Sequence, residues 1–65
     1  MRIVLNGEPR EIGARALHDA LAELGFAGAT IATAVNGRFV PATARMATVL
    51  DDGDRVEVLA PRQGG

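Results

Sequence analysis

The residues with the plainest chemical reading close the chain: Gln63-Gly64-Gly65. Glycine has no Cβ, adopts nearly any φ/ψ and enters a slot too narrow for other side chains. A terminal carboxylate on such a stalk is expected to reach a partner enzyme, be held against ATP, form a mixed anhydride with AMP and be released to a nucleophile. The chain would then be the substrate of the reaction. The bland alternatives are a frayed tail or an expression scar.

The other candidates are weaker. His18 is the one histidine, and no cysteine stands in the chain to partner it, so a proton-shuttle role gives way to a solvated helix residue. Asp51, Asp52 and Asp54 offer oxygen ligands to a hard cation, but they lack the spacing and closing Glu of a calcium loop, and Asp-Gly is ordinary turn chemistry. The scattered glycines match neither Gly-x-Gly-x-x-Gly nor Gly-x-x-x-x-Gly-Lys, so nucleotide binding by this chain is not expected. No metal and no cofactor is expected.

Composition narrows the function classes. A chain of 65 residues forms one small domain that buries roughly 60% of its unfolded surface, which leaves little room for a deep cleft. Without cysteine, stability must come from packing, and a reducing cytoplasm suits the sequence. The net charge is -1, and the seven basic residues, all Arg, are spread from Arg2 to Arg62. Nucleic acid is not an expected partner on that pattern. No apolar run approaches the ~20 residues of a membrane span and no signal peptide opens the chain, so a soluble, cytoplasmic protein is expected.

The elements that would carry the terminus are well punctuated. Residues 1–5 are β-branched and apolar, Asn6-Gly7 supplies two positive φ angles for a tight turn, and residues 8–12 return as a second strand. Pro9 places that strand at an edge. Leu17, Ala20, Leu21 and Leu24 share one stripe of a helix over about 15–24, with Gly25 as its C-cap. No Ser, Thr, Asp or Asn stands at its start, so the first turn is expected to fray. Asp19 and Glu23 suit its exposed face.

Residues 31–35 alternate, Asn36-Gly37 repeats the turn, and Arg38-Phe39-Val40 begins another strand that Pro41 ends. Residues 42–48 suggest one loose helical turn, with Met46 and Val49 reaching inward. After the Asp51-Asp52-Gly53-Asp54 turn, residues 55–59 alternate as a fifth strand. The expected class is α+β: a mixed sheet of about five strands grasping one helix, the last strand central beside the first. Residues 1–60 form the domain and 61–65 a flexible tail. Phe26 and Phe39 are expected in the core, although Phe39, just past a turn, also suits an exposed docking patch.

These segments together carry a resemblance. Asn6-Gly7 after the first strand, Val35-Asn36-Gly37-Arg38-Phe39-Val40-Pro41, Leu50-Asp51-Asp52-Gly53-Asp54-Arg55-Val56-Glu57-Val58 and the final Gln63-Gly64-Gly65 resemble the ThiS family, the sulfur carrier proteins of thiamine biosynthesis. The resemblance spans essentially the whole chain, in order. It implies a ubiquitin-like β-grasp fold and a protein cosubstrate rather than an enzyme. It also implies that Gly65 is adenylated by a ThiF-type adenylyltransferase and converted to a thiocarboxylate with sulfur from a sulfur-donating protein. The sulfur then passes to ThiG, the thiazole synthase. Gly64 and Gln63 would occupy the partner's active site, with Phe39 as a docking surface. One departure is Ala16, where many relatives have a capping threonine. Two alternatives stand beside this: the small subunit of molybdopterin synthase, and a noncovalent β-grasp interaction module.

Overall fold

The computed structural model describes residues 1–61. Two hairpins frame the chain. β1 (Arg2–Leu5) and β2 (Glu8–Glu11) pair antiparallel across Asn6-Gly7, and β3 (Ala32–Val35) and β4 (Arg38–Val40) across Asn36-Gly37. Each turn needs positive φ at both central positions. Asn6 and Asn36 supply it at 48° and 51°, followed by Gly7 at 85° and Gly37 at 83°.

β5 (Arg55–Leu59) joins the hairpins, parallel to β1 and antiparallel to β3, giving the order β2-β1-β5-β3-β4. The last strand is therefore central, beside the first. Pro9 pairs with Val4 from the outermost strand, where a missing amide hydrogen breaks no ladder.

Side chains alternate across the sheet, so paired residues share a face. Ile3, Leu5, Thr33, Val40, Val56 and Val58 point to the covered face, all buried. Helix α1 (Leu17–Glu23) lies over them and buries Leu17, Ala20 and Leu21, with Leu24 packed at the margin. Burying each large aliphatic side chain favours folding by about 1.5–3 kcal/mol. Leu50 closes the core from the segment before β5. The buried Thr33 hydroxyl donates to the Val40 carbonyl at 2.8 Å and accepts from Arg45 Nε at 3.1 Å, so it is partnered both as donor and as acceptor.

The helix ends as its sequence suggests. Gly25 has φ +97°, and the amides of Gly25 and Phe26 donate to the carbonyls of Ala22 and Leu21, a Schellman closure that carries Phe26 onto the core edge. Its start is shorter than expected and is held by other means. Ala16 sits at the N-cap without a side-chain hydrogen bond. The Leu17 amide donates instead to the Thr48 carbonyl at 2.8 Å, and the Leu50 amide to the Arg15 carbonyl at 2.7 Å. Glu23, reaching back from the last turn, accepts from the amides of Gly13 and Ala14.

The segment after Pro41 is helical as expected, a 3-10 helix, η1 (Ala42–Ala47), but the expected inward placement of Met46 and Val49 is overturned: they point outward, 71% and 59% exposed. Three residues per turn place only one side of so short a helix against the body. The partly buried Ala44 takes that side, and Leu50, one residue past Val49, enters the core in its place. The architecture as a whole is α+β, a mixed five-stranded sheet wrapped on one helix in the ubiquitin-like β-grasp manner.

Candidate functional site

Gly65, Gly64 and Gln63, the expected reactive end, lie outside the described residues. What the described residues present is the root of that end and the surface around it.

Among the described residues no element covers the sheet face opposite α1, and the register determines what it displays. Ala34 stands between Phe39 on β4 and Glu57 on β5, while Ala32 pairs with Leu59. Phe39 is 69% and Leu59 72% exposed. The expectation that Phe39 belongs to the core is therefore overturned: its neighbour Val40 faces the helix, and adjacent strand residues cannot share a face. The alternative, an exposed apolar patch, matches its position. Phe39, Ala34, Ala32 and Leu59 border a shallow hollow of about 220 Å³, with Asn6 and Glu57 at its polar rim. Leu59 is at once part of this patch and the last paired residue of the central strand.

β5 is gripped at both ends by the turn asparagines, a role that turn propensity alone does not announce. At its start, Asn36 Oδ1 accepts from the Arg55 amide at 2.9 Å and Nδ2 donates to Asp54 Oδ1 at 3.0 Å. Towards its end, Asn6 Oδ1 accepts from the Val58 amide at 2.9 Å and Nδ2 donates to the Val58 carbonyl at 3.2 Å.

The remaining candidates have structural occupations. His18 is exposed on α1, beside a separate hollow that Phe26 and Arg45 also line. Arg45 already donates to the Ile31 carbonyl and the Thr33 hydroxyl. Asp54 caps its own turn by accepting from the Asp51 amide at 2.7 Å, and Asp52 accepts from the Arg2 amide at 2.8 Å. Among the described residues no cluster of His, Cys, Asp or Glu is arranged to hold a metal ion, and no helix is long and apolar enough to cross a membrane.

The comparison with known families decides the lineage. The model of the ThiS family matches residues 3–65. The chain belongs to the ThiS family. Among solved structures, it is similar to the crystal structure of the thiamine biosynthesis protein ThiS from Geobacter metallireducens. That match has a TM-score of 0.83 at 33% identity and covers 100% of both chains. It is also similar to the NMR solution structure of a thiamine biosynthesis protein from Geobacter metallireducens, with a TM-score of 0.79 at 32% identity over 100% of this chain and 88% of that one. No curated protein matches significantly. ThiS membership makes the chain a small sulfur carrier of thiamine biosynthesis and ties it in general terms to the enzymes of that pathway.

Proposed function

We propose that the chain is the protein cosubstrate of sulfur transfer, with Gly65 as its loading point. Residues 1–60 form the body and residues 61–65 a tail that threads a partner's active site, Gly64 and Gln63 lining the way. A carboxylate oxygen of Gly65 attacks the α-phosphorus of ATP on a ThiF-type adenylyltransferase, and pyrophosphate leaves. A hydrosulfide equivalent from a sulfur-donating protein then attacks the acyl carbon. AMP departs with one former carboxylate oxygen and the bonding electron pair, leaving sulfur in that oxygen's place.

A carboxylate is a poor electrophile, which is why the adenylate is needed; the thiocarboxylate that follows is ionised and nucleophilic near neutral pH. It hands its sulfur to ThiG, the thiazole synthase. The reaction belongs in the cytoplasm, where thiols stay reduced.

The observation that carries this reading is a family match running through residue 65. The fold adds support, since its central strand ends at Leu59 beside the Phe39 patch. An enzyme that grips this patch receives whatever follows Leu59. Incubation with ATP, sulfide and the adenylating enzyme should raise the intact mass by the exchange of one oxygen for one sulfur. No gain with a competent enzyme overturns the proposal. Deleting Gly64 and Gly65 should abolish the gain, whereas a noncovalent docking module would keep its activity.

A further inference from the structure

We infer that Asn6 is a positioning residue for sulfur loading, because its carboxamide holds the exit end of β5 in the form a partner must meet. The inference rests on the carrier reading above.

Backbone pairing between β1 and β5 stops short of the end of β5. β1 pairs Val4 with Arg55 and Leu5 with Val56, the Asn6 amide adds one bond to the Val56 carbonyl at 2.9 Å, and the chain then turns away at Gly7. Beyond Val56 the central strand would have a neighbour on one side only, β3. The Asn6 side chain fills the gap: a carboxamide has the same donor and acceptor pair as a peptide group, and it engages both polar groups of Val58 at 2.9 and 3.2 Å. Val58 is thus held from the β1 side, and Leu59 from the β3 side through Ala32.

A strand end held on one side only visits frayed forms in which Leu59 leaves the hollow it shares with Phe39. Apparent affinity falls by the fraction of molecules in the competent form. Once Gly65 is seated in a partner's active site, the bond-making step is unaffected. Loss of the Asn6 carboxamide should therefore appear in KM for the carrier and not in kcat.

The fold supplies a matched control. Asn36 has the same type of turn, the same positive φ and the same following glycine, and its carboxamide holds the opposite end of the same strand. The substitutions Asn6→Gly and Asn36→Gly both keep the turn geometry and remove a carboxamide. They differ in which end of β5 is released.

The test measures steady-state thiocarboxylate formation with the adenylating enzyme, ATP and sulfide, alongside amide hydrogen exchange. For Asn6→Gly, KM should rise about tenfold with kcat within about twofold, and Val58 exchange should quicken while the core amides stay protected. Asn36→Gly should quicken exchange at Arg55 and leave KM within about twofold. Asn6→Asp, which keeps the acceptor and loses the donor, should show the same split at smaller size and serves if the glycine variant does not fold. An unchanged KM in the Asn6 variants, or an equal rise in Asn36→Gly, overturns the inference. A wild-type chain that gains no sulfur overturns the carrier reading and this inference with it.

Discussion

Glu23 and Gly13 stand ten residues apart in sequence, and the Gly13 amide reaches both carboxylate oxygens of Glu23 at 3.0 Å. The Ala14 amide joins them at 2.9 Å. The loop into α1 is thereby tied to the helix's last turn, in a place where Ala16 supplies no cap. Hydrogen bonds to the charged form favour it, so the Glu23 carboxyl titrates below its ordinary value, the Gly13 amide being the main cause and Ala14 the second.

A pH dependence follows. A folded-state pKa below the unfolded one means that the unfolded chain takes up the proton more readily. The contribution is full above the ordinary glutamate range and is lost as pH falls through the lower folded value. Glu23→Gln should therefore lower Tm slightly at neutral pH, and the gap from wild type should close in acid. Thermal melts of both proteins across that range check it. A gap that persists undiminished in acid contradicts the assignment.

Thr33→Val tests the buried polar link between β3 and η1. The substitution keeps the shape but leaves the Val40 carbonyl and Arg45 Nε without the hydroxyl that served both. A loss of about 1–3 kcal/mol is expected, because buried groups stranded without a partner bear their desolvation cost. A denaturant midpoint equal to wild type would refute it.

The open apolar patch predicts a separation of stability from activity. Phe39→Thr and Leu59→Thr retain strand preference and alter side chains that are 69% and 72% exposed. Stability should stay within about 0.5 kcal/mol of wild type. KM for the adenylating enzyme should rise about tenfold or more, the usual scale for truncating an aromatic or aliphatic anchor. Unaltered kinetics would place the docking surface elsewhere.

Gly65→Ala bears on the narrow-slot argument. Terminal residues contribute little to stability as a rule, so folding should be unaffected. Loading should slow on the order of a hundredfold, since a small misplacement of the reacting group has that effect. Loading at the normal rate would defeat the argument.

Much of the fold was legible because the chain is punctuated by residues with one backbone use. Asn6-Gly7, Asn36-Gly37, Gly25 and Pro41 marked strand and helix ends within a residue or two. Pro9 put the second strand at an edge, and layer and connection rules put the last strand beside the first. The outward side of Phe39 was within reach too, since Val40 beside it needed the core. Met46 and Val49 were misread because apolar type alone does not choose a face, either on a short 3-10 helix or in the single bridge Val49 makes with Ala16 just after it. The contacts of Asn6, Asn36 and Glu23 were hidden for a different reason. Each joins residues brought together only by the finished fold, and a polar side chain in a turn or on a helix surface looks the same with or without such a partner.

Both flanks of the sheet are poor templates for a foreign strand. β2 brings Pro9, which has no amide hydrogen, set among Glu8, Arg10 and Glu11, while β4 runs for three residues before Pro41. Proline and charge at an outer strand discourage edge-to-edge growth. On the docking role proposed for the Phe39 face, the sheet offers a partner its apolar surface while its outer strands discourage growth between copies.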